Sequence, residues 1–276
     1  SFKDINFNKT DSNNNNINTG KLNNSNSNST IKIEFIDKMI FQGGINTICY
    51  SNLNGICFIS VNDCINVIKI ERKIHVNTDK NEINSKTSKF YLMKDVNVKL
   101  KSVASNNSFN FVSDIKLISS NNENISILVC DYFKSASVFT YNLSKNQLIE
   151  QAKDFSPTWI ITSTFFSKNE DLKKQFFLCA DNDNNIVVFR QNEFPKSDDE
   201  LNKLEKIGFI NIGEKINKFR KHSVINNKTH QRVKFSSLSN EVNYASFVTT
   251  EGTIGVIIEL NKKDFHFLNS LQNEIL

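Results

Sequence analysis

Gln151-Ala152-Lys153-Asp154-Phe155-Ser156-Pro157-Thr158-Trp159-Ile160-Ile161 holds the only tryptophan and one of the two prolines of the chain. The ring of Pro157 fixes its own φ and pushes Ser156 out of helical geometry, so Asp154 to Pro157 reads as a turn. Trp159 then opens a β-branched run, Ile160-Ile161-Thr162, which favours an extended strand. A corner of this kind joins two sheets.

Outward from that corner the chain repeats itself. Three short β-rich segments separated by tight turns recur four times. The first set is Ile45 to Tyr50, Ile56 to Val61 and Cys64 to Ile70, with Asn54-Gly55 as a hairpin signal between the first two. The second is Phe111 to Ile118, Ile125 to Asp131 and Ser135 to Tyr141. The third is Trp159 to Phe166, Gln175 to Asp181 and Asn185 to Gln191. The fourth is Lys215 to Val224, Tyr244 to Thr250 and Thr253 to Glu259. Each set but the last is followed by another candidate strand, at Phe90 to Val96, Leu148 to Asp154 and Lys203 to Ile210. Four strands per unit at a period of tens of residues predict propeller blades. The expected fold class is therefore all-β, about four blades of a seven-bladed β-propeller followed by the start of a C-terminal helix.

The remaining segments fit around those blades. Residues 1–30 are about one-third Asn, too polar to offset their ordering entropy by burial, and are expected to be disordered. The blades then occupy 31–260 and a helical segment 261–276. In that segment Asp264 is the expected cap, with Phe267, Leu268 and Leu271 on one face. Insertions are expected in the first part of Lys73 to Asn110 and at Ile225 to Gln231, and a short helix over Ser197 to Leu204. A sequence that opens on Ser1 and ends within a helix is expected to be a fragment of something longer.

Composition narrows the function. The formal charge of +5 permits contact with nucleic acid without amounting to a basic arm. No apolar run is long enough to cross a bilayer as a helix, so no membrane partner is expected. Cys49, Cys57, Cys64, Cys130 and Cys179 form no C-x-x-C pair and read as small buried hydrophobes on strands. His75, His222, His230 and His266 have no spacing to a nucleophile or carboxylate that makes a triad or a zinc site. Asp181-Asn182-Asp183-Asn184-Asn185 begins like a calcium loop, but has Ile186 where the sharp turn needs Gly. It reads as a hairpin turn. No catalytic residue, metal site or cofactor is expected. The segment with Lys215, Lys218, Arg220 and Lys221 leaves two readings open, a solvated rim or a contact to DNA or RNA phosphates. Strand alternation would place Lys215 and Asn217 on one side and Lys218 on the other.

Six stretches carry a family resemblance in order and spacing. They are Asp131-Tyr132-Phe133-Lys134-Ser135; Ala152 to Trp159; Asp199-Glu200 through Lys206-Ile207-Gly208-Phe209; Ile212 to Phe219; Gly252 to Gly255; and Leu271-Gln272-Asn273. Together they resemble the end of the last propeller in the cleavage and polyadenylation specificity factor A subunit family. The resemblance implies a non-enzymatic nuclear scaffold, with the cytoplasm as a second location. It points most closely to the branch that acts as adaptor in cullin-4 ubiquitin ligases linked to DNA damage repair. In that branch a cleft between the first and third propellers grips a helical segment of a substrate receptor. The third-propeller wall would comprise Ile115, Tyr132, Lys153, Trp159, Lys215, Asn217, Lys218 and Thr250. Lys215 and Lys218 stand where the adaptor branch has apolar side chains. Cullin contacts would belong to a different propeller. The alternative is a pre-mRNA 3'-end processing or splicing subunit of the same family, with RNA and processing factors as partners. Trp159 itself reads equally as a partner anchor or as a core residue between blades.

Overall fold

A computed structural model describes residues 37–74, 96–166, 175–192, 195–197, 200, 202–221 and 243–275. The chain divides into two compact units, residues 39–71 with 100–276 and residues 1–38 with 72–99. Little of the second is described, and the account that follows concerns the first.

Four sheets follow one another along the chain. Strands β1 (Ile45–Ser51), β2 (Ile56–Val61), β3 (Cys64–Ile74) and β4 (Val96–Asn106) pair in that order. Strands β5 (Val112–Ser120), β6 (Asn124–Asp131), β7 (Ser135–Asn142) and β8 (Gln147–Lys153) make the second sheet. The third comprises β9 (Ile160–Phe166), β10 (Phe176–Asp181), β11 (Asn185–Gln191) and β12 (Leu204–Asn211). Strands β13 (Ile216–Lys221), β14 (Tyr244–Thr249) and β15 (Ile254–Ile258) form a three-stranded fourth, and helix α1 (Lys262–Ile275) follows. The first strands pack side by side, β1 on β5, β5 on β9 and β9 on β13. This is the arrangement of consecutive propeller blades, and the expected all-β class holds.

Alternation along the strands explains why the blades stack. On β6, Ile125, Ile127 and Val129 join Phe58, Ile65 and Val67 of the first blade, while Leu128 and Cys130 join Phe177, Cys179 and Val187 of the third. Side chains of opposite parity thus feed cores on opposite faces of one sheet, which is why β6 is apolar without a polar face. Cys130 and Cys179 are buried as expected, whereas Cys49, Cys57 and Cys64 are half-buried. Burial pushes the Cys49 thiol up to about 11.

Two local devices recur in every blade. The turn between second and third strands carries a residue with positive φ, in turn Asn62, Ser135, Asn184 and Gly252. Each first strand also has a bulge at its second residue: Asn46, Ser113, Ile161 and Asn217 are skipped in the pairing with the next strand. Gly255 serves the fourth blade differently, since it pairs across from Phe247 and a side chain there would collide with that ring.

Several expectations are corrected. The fourth strand of the first blade is Val96–Asn106, which the expected Phe90 to Val96 meets at Val96; residues 75–95, with the rest of that expected strand and most of the expected insertion, lie outside the described residues. Asn261, not Asp264, caps the helix. Its Oδ1 accepts the Asp264 N–H at 2.9 Å and its Nδ2 donates back to Asp264 at 2.6 Å, a reciprocal box with Asp264 at the third position. Between Ser197 and Leu204 the helical geometry described is at Glu200, whose N–H donates to the Ser197 carbonyl. The Asn-rich segment 1–30, the insertion at Ile225 to Gln231, His75, His222 and His230 lie outside the described residues. No described helix is long and apolar enough to cross a membrane.

Asp131 shows how such turns are held. Its Oδ2 accepts the N–H groups of Asn110 and Phe111, and its Oδ1 those of Phe133 and Lys134, at 2.7 to 3.0 Å. Asp131→Ala would leave those donors without their acceptor, at a cost of about 2 kcal/mol or more. Calorimetry of the full-length protein should show a melting temperature lowered by several degrees. An unchanged melting temperature would mean that water replaces the carboxylate.

Candidate partner-binding face

The residue just before each first strand sits at the same structural position in every blade. Its carbonyl accepts an N–H from the turn between second and third strands: Asn62 to Gly44, Tyr132 to Phe111, Asn182 to Trp159 and Thr250 to Lys215, at 2.8 to 3.2 Å. This bond fixes the corner of each blade and places both of its residues on one face. The second and third blades present Phe111, Tyr132, Asn182 and Trp159 there, and the fourth presents Lys215 and Thr250.

The aromatic rings on this face form one cluster. Tyr132 lies 6.0 Å from Phe111, 6.1 Å from Phe133 and 6.2 Å from Trp159, and Phe133 meets Trp159 edge-on at 5.9 Å. Trp159 is 49% exposed, and Phe111 and Phe133 are similarly open. Trp159 is therefore a surface ring on an aromatic support and not a core residue between blades. Phe133 also lines a cavity of about 430 Å³ with Lys134, Lys153, Asp154 and Pro157. Lys153 stands 5.2 Å from the ring centre of the exposed Phe155 and pairs with Glu150 at 3.0 Å.

Beside the cluster the first strands carry a buried polar centre. Asp114, 1% exposed, follows the bulge of β5, as Thr162 follows that of β9 and Lys218 that of β13. These three equivalent residues meet. Thr162 Oγ1 and the Ser163 N–H donate to Asp114 Oδ2 at 2.9 Å, and Lys218 Nζ donates to Oδ1 at 3.0 Å. Lys116 Nζ lies 3.1 Å from Oδ2. Burial holds the Lys116 ammonium below its ordinary pKa; Lys218 acts in the same direction and Asp114 opposes both.

The residues singled out from sequence therefore separate into groups. Tyr132, Trp159, Lys215 and Thr250 share the face, and Lys215 Nζ reaches the Asn182 side chain at 2.8 Å. Lys153 lies at the cavity, and Asn217 is exposed at a bulge. Ile115 is corrected in placement: it is 3% exposed in the core between the first two blades and offers no surface. The simple alternation expected for Lys215 to Lys221 also fails. The bulge at Asn217 puts Ile216 and Phe219, three apart, on the buried side. Lys218 turns toward Asp114, and Lys221 stands 4.3 Å from the Phe165 ring centre, its pKa lowered by burial. Arg220 is exposed. Phe111, Phe133, Phe155, Asp114 and Lys116 were missed from sequence, because nothing local distinguishes them from strand and turn residues until the blades are superposed.

The Asp181 turn is satisfied internally. Its Oδ1 accepts the N–H groups of Asp183 and Asn185. Among the described residues no group of three His, Cys, Asp or Glu could hold a metal ion.

Successive blades with a shared corner bond place the chain among the β-propeller proteins. It belongs to the family described as CPSF A subunit region, whose sequence model it matches over residues 6–276. Among curated proteins it is 30% identical over 149 residues to DNA damage-binding protein 1a of Arabidopsis thaliana. It is 29% identical over 150 residues to DNA damage-binding protein 1 of Oryza sativa subsp. japonica, and 30% over 149 residues to that of Solanum lycopersicum. Each match covers 54% of this chain and 13% of the relative.

Asp114→Ala would leave two ammonium groups facing each other without their shared counterion. Both lysines left behind are partly exposed, so the loss lies below that of a fully buried ion pair, at about 2 kcal/mol with the Thr162 and Ser163 donors left without their acceptor. Denaturant unfolding of the full-length protein should show this part of the chain destabilised by that order. A loss below about 1 kcal/mol would show that solvent already screens the centre.

Proposed function

We propose that this chain is part of a non-enzymatic scaffold that holds a substrate receptor in a nuclear cullin-RING ubiquitin ligase linked to DNA damage repair. The receptor docks on the Trp159 face, and the cullin binds through regions outside this chain. The observation that carries the reading is the open aromatic cluster of Phe111, Tyr132, Phe133 and Trp159. Rings at such exposure in water lose apolar hydration when a partner covers them, and their mutual edge contacts already hold them in place. Little ordering cost then remains for binding. The names of the relatives support DNA damage as the context.

A processing subunit that tracks RNA phosphates has less to stand on. Lys215, Lys218 and Lys221 reach three separate local partners, the Asn182 side chain, Asp114 and the Phe165 ring, rather than lining one track.

Trp159→Ala in the full-length protein should weaken receptor binding about thirtyfold, corresponding to about 2 kcal/mol for an aromatic hot spot. The melting temperature should stay nearly unchanged. Phe139→Ala, in the core, should instead lower stability by about 3 to 5 kcal/mol. Calorimetry with purified receptor in titration separates the two. Normal receptor affinity in folded Trp159→Ala would overturn the proposal.

A further inference from the structure

Asp114 carries more positive charge than it can balance. Both of its oxygens are occupied, Oδ2 by Lys116, Thr162 and Ser163 and Oδ1 by Lys218, which fills the roughly four acceptor sites of a carboxylate. Two ammonium groups thus share one counterion, Lys116 Nζ at 3.1 Å from Oδ2 and Lys218 Nζ at 3.0 Å from Oδ1. The side chains of Lys116 and Lys218 remain 24% and 42% exposed. Each ammonium has three donors, so the pair keeps N–H groups directed at solvent while its buried anion is saturated. This is a fixed cationic spot with a deficit of one negative charge.

Its surroundings say what would fill it. Phe111 and Trp159 immediately precede β5 and β9, the strands that carry Asp114 and Thr162, so the aromatic face and the cationic spot are built from the same two strands. We propose that the partner segment seated on this face is acidic: its apolar side chains cover Trp159 and its neighbours while one Asp or Glu carboxylate sits on Lys116 and Lys218. The inference rests on the reading of the aromatic face as a docking surface and adds the chemistry of the partner. A peptide suits the site better than a nucleic acid, because Lys116 and Lys218 converge on one anchored carboxylate instead of being spaced along a track of phosphates. Of the other cations of the face, Lys153 is paired with Glu150, while Lys134 and Lys215 donate to the neutral Ser108 carbonyl and Asn182 side chain and keep their charge.

The test follows from the charge count. Removing either lysine alone leaves a balanced pair with Asp114, so Lys116→Met and Lys218→Met are each expected to fold, as thermal melting checks. Random peptides displayed on phage are selected on the full-length protein. Enriched peptides are resynthesised with their acidic residue as Glu or Gln and titrated by fluorescence anisotropy. The Glu form should bind at least about tenfold more tightly than the Gln form to the wild type. That preference should collapse in either Met variant and return in Lys218→Arg. Trp159→Ala should abolish binding of both forms, which tests the docking face separately. The inference is overturned if the selected peptides lack acidic residues, if no peptide is enriched, or if the Glu preference survives in both Met variants. It is equally overturned if a dT15 oligonucleotide binds in their place and loses affinity in the same variants.

Discussion

A single carboxylate joins three blades. Asp114 is delivered from β5, is hydrogen-bonded by Thr162 and Ser163 of β9, and is paired with Lys218 of β13. Desolvating a charge costs several kcal/mol unless it is fully bonded, so the three first strands can only sit where these partners reach it. The apolar layers between blades are non-directional and would tolerate sliding. The Asp114 centre is directional, and it sets the register in which the inner strands meet. The bulges make this possible, because each one turns the following residue, Asp114, Thr162 or Lys218, toward its counterparts in the neighbouring blades.

The face above that centre inherits its order. The repeated corner bond holds Phe111, Trp159 and Lys215 at equivalent positions in consecutive blades, so side chains far apart in sequence become neighbours on one surface. Blade repetition fixes where these residues stand, and residue type decides what the surface recognises. Two aromatic positions followed by a lysine give a face that is apolar at one end and cationic at the other. Strand β15, the last of its sheet among the described residues, where Ile254 is exposed, and helix α1, which has no buried residue, are separate features, and nothing in the binding proposal depends on them.

Much of the fold was legible in the sequence, because strand boundaries are written in β-branched runs and turn residues. Ile56–Val61 and Asn185–Gln191 are read to the residue, and the other blade strands described mostly within one or two. The outer strand Val96–Asn106 was not legible, since its Lys and Ser content at a sheet edge resembles a loop. Trp159 is marked in the sequence by its residue type, whereas Tyr132 and Thr250 follow only from the family resemblance; the corner bonds put all three on one face, and their role there is part of the proposal. The site was not legible at Lys218, where a bulge reverses the side chain and defeats period-two counting. Ile115 entered through the family resemblance; the bulge before Asp114 turns Asp114 to the polar centre and leaves Ile115 in the apolar core. Lining up the second and third residues of each first strand (Asn46-Thr47, Ser113-Asp114, Ile161-Thr162, Asn217-Lys218) would have exposed both the bulge and the polar centre.

The central claim is that a rigid inner frame displays an open docking face, and hydrogen exchange reads both halves at once. The full-length protein, followed by mass spectrometry with and without its bound receptor, should show slow exchange in β5, β6, β9 and β10 in both states. Protection gained on binding should be confined to the segments around Phe111, Tyr132 to Lys134 and Phe155 to Trp159. Gains confined to the outer strands or to α1, with those segments unchanged, would contradict the account.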